Sequence, residues 1–149
     1  MDFGYSMQIE RLENSAVLWK NDIFLVTAPD NPHLPREEGC HLIIHPNKPL
    51  ERAWDNPRLV GEAFELASKV AGILVAEKIV DWINLQCNGN WGLLKGATPW
   101  FHIHVYGRKS SGKTWGQPVE LPKLPNTYHN EPMSEQDIKR LVSKFRDNL

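Results

Sequence analysis

His102 and His104 stand two residues apart in the run WFHIHVYGR, Trp100 to Arg108. In an extended strand, residues two apart project to the same side, with side chains about 6.5–7 Å from one another. The run therefore presents Trp100, His102, His104 and Tyr106 on one face, and Phe101, Ile103 and Val105 on the other. Imidazole is the side chain best suited to nucleophilic and proton-transfer work near neutral pH. Attack needs one ring nitrogen with a free lone pair, while the other is protonated and held by an acceptor. A second imidazole on the same face can donate to a non-bridging phosphate oxygen, and that contact strengthens as charge builds in the transition state. His41, in CHLIIH, is the third histidine of interest.

These rings need a scaffold. SAVLWK (Ser15 to Lys20) and DIFLVTA (Asp22 to Ala28) read as strands joined by a turn at Lys20-Asn21-Asp22. The segment PDNPHLPREEG, with three prolines and a glycine, is a loop. Cys40 to His45 is a third strand, stopped by Pro46. A helix is predicted over Pro57 to Val80, with Asn56 as N-cap, Pro57 in the first turn, and an apolar stripe of Leu59, Ala63, Leu66, Ala67, Val70 and Leu74. Val80 to Asn88 is a fourth strand, Gly89 to Pro99 a glycine-punctuated loop, and Trp100 to Arg108 a fifth strand. Residues 109–132 form an extended arm. Ser134 to Leu149 is a second helix, capped by Ser134 and striped by Ile138, Leu141, Val142 and Phe145. The expected fold is α+β: a roughly five-stranded antiparallel sheet with one long helix and a C-terminal helix on one face.

Bulk properties narrow the function classes. The chain has 149 residues, enough for one domain, with 41% hydrophobic and 23% charged residues and a net charge of -1. Non-specific nucleic-acid binding needs a strong basic surplus, which is lacking. Two cysteines without a Cys-x-x-Cys pair suit a reducing compartment and disfavour a thiolate zinc site. The opening segment MDFGYSMQIERLEN lacks the apolar run of a leader or membrane span, so the expected location is the cytoplasm.

HIHVYGR resembles the end of the histidine-triad signature, His-φ-His-φ-His-φ-φ, where φ is apolar. HLIIHPNK is similar to that family's earlier strand. The long helix, and the strand leading into INLQCNGNWG, match the intervening elements. The resemblance covers residues 15–108, leaving 109–149 as a C-terminal extension. Two registers fit. In one, His102 and His104 are the second and third triad histidines and Trp100 replaces the first. In the other they are first and second, and Tyr106 replaces the third. The first register is preferred, because it continues without a gap through Gly107 and Arg108.

The resemblance then implies that His102 is the nucleophile, His104 the phosphate-side donor and His41 a supporting histidine. It implies a nucleotidyl-histidine intermediate that water releases as a nucleoside monophosphate, without metal or cofactor. Its implied substrates are a dinucleoside polyphosphate or a nucleoside phosphoramidate, and its implied assembly is a homodimer. Asn88 or Asn90 would contact phosphate. Thr98 would stand in for a small hydroxyl residue, because Ala97 occupies the gapless position. Asp30 or Asn31 would meet the ribose. An indole cannot relay a proton. With Trp100 at the first position, the leaving group must depart unaided or be protonated elsewhere. Trp100 would stack on a base, line the pocket, or simply pack.

Several rival readings compete. Gly107 to Thr114, GRKSSGKT, satisfies the phosphate-loop pattern, but the proline-rich WGQPVELPKLP that follows cannot be the helix that such a loop requires. Arg108, Lys109 and Lys113 would still draw a polyphosphate by charge. His102 and His104 could ligate zinc or iron with His41 or His45, though no carboxylate or thiolate partner is evident. A non-catalytic nucleotide-binding module is a further alternative. Alternation points Cys40 away from His41, against a thiol nucleophile. His33 and His129 read as solvated loop residues, the Arg36, Glu37, Glu38 cluster as a loop edge, and Trp19, Trp54 and Trp82 as core or interface.

Overall fold

A computed structural model describes residues 7–149. The first six residues of the opening segment, read above for a leader, lie outside the described residues. The elements run in the order β1 (Arg11–Leu12), β2 (Ser15–Lys20), β3 (Phe24–Pro29), β4 (Gly39–Pro46), α1 (Pro57–Ala76), β5 (Trp82–Gln86), β6 (Ile103–Arg108) and α2 (Glu135–Asn148). They form an α+β fold with one antiparallel sheet in the order β1-β2-β3-β4-β6-β5. The sheet has six strands rather than about five. The addition, β1, is a two-residue edge whose exposed Arg11 and Leu12 carry no strand pattern to read.

The strand alternation separates two faces. Cys40, Leu42 and Ile44 of β4 and Ile103 and Val105 of β6 point into the core, beneath both helices. α1 begins as its sequence demands: Asn56 Oδ1 accepts the Leu59 amide at 3.1 Å, and Pro57 needs no donor there. Ala63, Leu66, Ala67, Val70 and Leu74 form its buried stripe. Each buried Leu or Val contributes roughly 1.5–3 kcal/mol by leaving water. The helix stops at Ala76, short of Val80, where the chain turns through Lys78 at φ 57°. Ser134 Oγ accepts the Asp137 amide to start α2, and Ile138, Leu141 and Phe145 join the same core. The extension after β6 thus completes the hydrophobic centre.

β4 and β6 are neighbours, with His41 in register with Tyr106 and Ile43 with His104. This pairing puts the histidines of both strands on the face away from the helices. It also needs close backbone approach: a Cβ on Gly39 would lie 1.7 Å from the carbonyl oxygen of Gly107. β6 is shorter than the predicted Trp100 to Arg108, and β5 shorter than Val80 to Asn88. The chain leaves sheet pairing before Ile103, so Trp100 and His102 lie on its approach. Trp19 packs on the core, whereas Trp54 and Trp82 are exposed, at 76% and 62%.

Candidate functional site

Four imidazoles meet on the helix-free face, and their hydrogen bonds define one proton order. The His33 backbone N–H, which can only donate, points at His41 Nδ1 at 3.1 Å. His41 therefore carries its proton on Nε2 and donates it to His104 Nδ1 at 2.9 Å. His104 in turn bears its proton on Nε2, which lies 3.0 Å from His102 Nε2. His102 completes the series by donating from Nδ1 to the Trp100 carbonyl at 2.6 Å. The result is a row of neutral rings ending in a lone pair on His102 Nε2. A nucleophilic imidazole needs that tautomer, and the last acceptor is backbone, fixed by the chain's turn into β6.

Burial keeps His41 and His104 uncharged. His41 is held well below the ordinary histidine value, first by loss of solvent and then by the neighbouring histidines. His104 is lowered to about 3, by burial first and by His102 and His33 second. His45 is also lowered, chiefly by burial; its Nδ1 lies 3.1 Å from the Pro46 carbonyl and its ring meets Trp100 edge-on at 4.7 Å.

His33 corrects the sequence reading. It is a half-buried member of the cluster, lowered to about 4 by burial and by His102. Its Nδ1 shares a 2.8 Å hydrogen bond with the Tyr106 hydroxyl, and its ring lies 4.3 Å from that of His41. No spacing rule brings a loop histidine eight residues upstream onto this face; the fold of the Pro29–Gly39 loop does. His129 is exposed, as read.

Above the rings opens a cleft of about 580 Å³, within the range of small-molecule sites. His102 and His104 lie at its floor. Asn88, Asn90, Thr98 and Trp100 also line it, and Trp100 is 41% exposed. His41 lies behind His104 and supports it from the rear. Asn31 does not line the cleft: its side chain accepts from the Asn130 amide and donates to the Tyr128 carbonyl, fastening the C-terminal segment. Asp30 pairs with Arg11. Trp91 and Lys123, absent from the sequence reading, both line the cleft, and the Trp91 indole N–H donates to the Lys123 carbonyl at 3.1 Å.

The phosphate-loop look-alike is explained by an internal anion. No helix opens at Lys113-Thr114. The Glu38 carboxylate accepts the amides of Lys113 and Thr114 and the Thr114 hydroxyl, and is held below the usual carboxylate range first by that hydroxyl. Arg108 is buried and committed to Asn84, Thr114 and Gln117. Glu38 is thus more than a solvated loop edge, and Arg108 is withdrawn from any steering role. The Cys40 thiol faces the core and is pushed up to about 12 by burial, as expected for an inert cysteine.

His33, His41 and His104 each offer a nitrogen within 4.8 Å of the others, a spacing from which cation sites are made. Both nitrogens of His41 and of His104 are engaged in the proton-ordered row, however. A cation would have to break two of its links, so the donor set suits proton ordering better than metal binding.

No family model matches the sequence, and no curated protein matches it. Solved structures do. A histidine triad (HIT) protein from Sinorhizobium meliloti 1021 superposes with a TM-score of 0.64 at 16% identity, covering 95% of this chain and 97% of that one. A zinc-bound histidine triad family protein from Mycobacterium smegmatis gives 0.60 at 15%, covering 88% and 86%. A hypothetical histidine triad nucleotide-binding protein from Sulfolobus tokodaii strain7 gives 0.53 at 16%, covering 92% and 84%. The chain therefore has the histidine-triad fold.

Proposed function

We propose that the protein is a nucleotide hydrolase or nucleotidyl transferase that works through a nucleotidyl-histidine on His102. One observation carries this reading: the proton order that leaves His102 Nε2 unprotonated in a residue lining the cleft, with the His104 N–H as its only proton partner among the described residues. His102 Nε2 attacks the phosphorus attached to the nucleoside, a P–N bond forms, and the bond to the leaving group breaks. The His104 N–H, 3.0 Å from His102 Nε2 before substrate arrives, turns to a non-bridging phosphate oxygen. His41 and the His33 amide keep that N–H pointed forward. Water then cleaves the P–N bond, releasing a nucleoside monophosphate and restoring the lone pair.

The cleft offers Asn88 or Asn90 to the phosphate, Thr98 beside it and Trp100 as an aromatic wall for the base. The name of one structural neighbour, a nucleotide-binding protein, supports the ligand class. A small-molecule nucleotide, either a dinucleoside polyphosphate or a nucleoside phosphoramidate, is the substrate in this reading, the assembly a homodimer and the setting cytoplasmic. Among the described residues no helix is long and apolar enough to cross a membrane. The test is turnover of a panel of dinucleoside triphosphates in ¹⁸O-water. Label appearing in the released monophosphate, with loss of at least 1,000-fold in His102→Ala, supports hydrolysis at that phosphorus. Nucleotide binding without turnover would leave only a binding module.

A further inference from the structure

The segment between β6 and α2, residues 109–134, crosses the histidine face and is tied down along its length. Arg108 holds the carbonyls of Thr114 and Gln117. The Trp91 indole holds the Lys123 carbonyl. Asn31 holds the Tyr128 carbonyl and the Asn130 amide, and Asn130 Nδ2 donates to the Pro32 carbonyl at 2.9 Å. Between these ties, Leu121, Pro122 and Lys123 form a wall of the His102 cleft.

Lys123 stands out among the lining residues. It is the only lysine or arginine there, and no carboxylate lines the cleft. Among the described residues its ammonium makes no hydrogen bond and no ion pair, although its backbone is fixed by Trp91. The same cleft has an indole, Trp100, where a proton relay is expected. A leaving group that must pick up a proton, such as an amine, finds no relay at that position. One that departs as a phosphate anion needs only a cation to meet it.

Building on the phosphoryl-transfer reading above, we propose that Lys123 on this strap selects substrates whose leaving group is itself a phosphate anion. The site then acts on nucleotide anhydrides in preference to phosphoramidates and to esters whose leaving group carries no phosphate. As the bridging P–O bond breaks, its electron pair stays on the departing phosphate oxygen, beside the ammonium. Lys123 makes no bond to the transferred phosphorus. Its contribution is greatest where negative charge accumulates, so it acts on the choice of leaving group rather than on the attack by His102.

The experiment compares two substrates of one nucleoside, with the four common bases in turn: the dinucleoside triphosphate, and the nucleoside 5′-p-nitrophenyl phosphate, whose leaving group carries no phosphate. The reading is the ratio of their kcat/KM values. In Lys123→Ala the ratio is expected to fall at least tenfold, in Lys123→Glu further still, and in Lys123→Arg to stay within threefold of the original protein. An unchanged ratio in Lys123→Ala, or equal losses on both substrates, overturns the proposal while leaving His102 chemistry standing. A protein that turns over neither substrate overturns the phosphoryl-transfer reading itself, and this one with it.

Discussion

The Trp100 carbonyl accepts the Nδ1 proton of His102 at 2.6 Å, so the backbone two residues upstream sets the tautomer of the candidate nucleophile. Backbone provides that acceptor, and the side chain is free for other work: it is 41% exposed, lines the cleft and meets His45 edge-on. Trp100→His should keep the tautomer and add a proton relay. It should raise kcat on substrates with poor leaving groups, such as phosphoramidates, at least tenfold, and alter anhydride turnover less than threefold. Equal effects on both classes would show that Trp100 has no bearing on leaving-group protonation.

The neutral row makes folding sensitive to mild acid. Free histidine takes up a proton near 6.5, whereas folded His33 does so near 4 and folded His104 near 3. The unfolded chain therefore binds more protons than the native one as pH falls below 6.5. The stability carried by the neutral rings is present above about 6.5 and is lost as pH falls, down to about 4 for His33 and about 3 for His104. Thermal unfolding between pH 7.5 and 5, above the range where carboxylates dominate, should show Tm falling with pH. A flat or rising Tm would mean that these rings are not buried and neutral.

Gly92 tests how the cleft loop is positioned. A Cβ there would lie 2.5 Å from the Pro99 Cα, and backbone cannot yield as a flexible side chain can. Pro99 lies between Thr98 and Trp100. Gly92→Ala should cost about 1–3 kcal/mol of stability and at least tenfold in kcat/KM, because the shift reaches the cleft wall. Stability and turnover both unaffected would show that the loop repacks without consequence.

Chelation separates proton ordering from metal chemistry. If the His41 and His104 nitrogens serve the hydrogen-bonded row, removal of zinc with 1,10-phenanthroline should leave turnover within twofold. Loss of activity restored by added zinc would instead assign His33, His41 and His104 to a metal.

Much of the fold was legible because period and punctuation agree. The Asn56-Pro57 start and the α1 stripe, the Ser134 cap and the alternation of Cys40 to His45 each encode a local structure that tertiary packing then uses. The His102–His104 pair was legible from its two-residue spacing, although the strand itself begins at Ile103 and His102 sits on the approach to it. Two residues of the cleft were not. His33 and Lys123 lie in proline-rich segments without periodicity, and they reach the cleft only through long-range ties, one from the His33 amide to His41 and one from Trp91 to the Lys123 carbonyl. Asn31 was placed in the correct region with a different task, because an asparagine holding a strap and one holding a ribose look alike in sequence. GRKSSGKT misleads for a similar reason: its amides do surround an anion, but the anion is the protein's own Glu38.

A nucleotidyl-histidine on His102 can be trapped directly. The protein is mixed with a dinucleoside triphosphate, quenched at alkaline pH within milliseconds to seconds, and measured by intact mass, with the modified residue mapped by peptide fragmentation. A transient gain of one nucleoside monophosphate, labile to acid, is expected on His102 and absent from His102→Ala. Turnover with no such adduct at any time point, or an adduct on another residue, would contradict a nucleotidyl-histidine on His102.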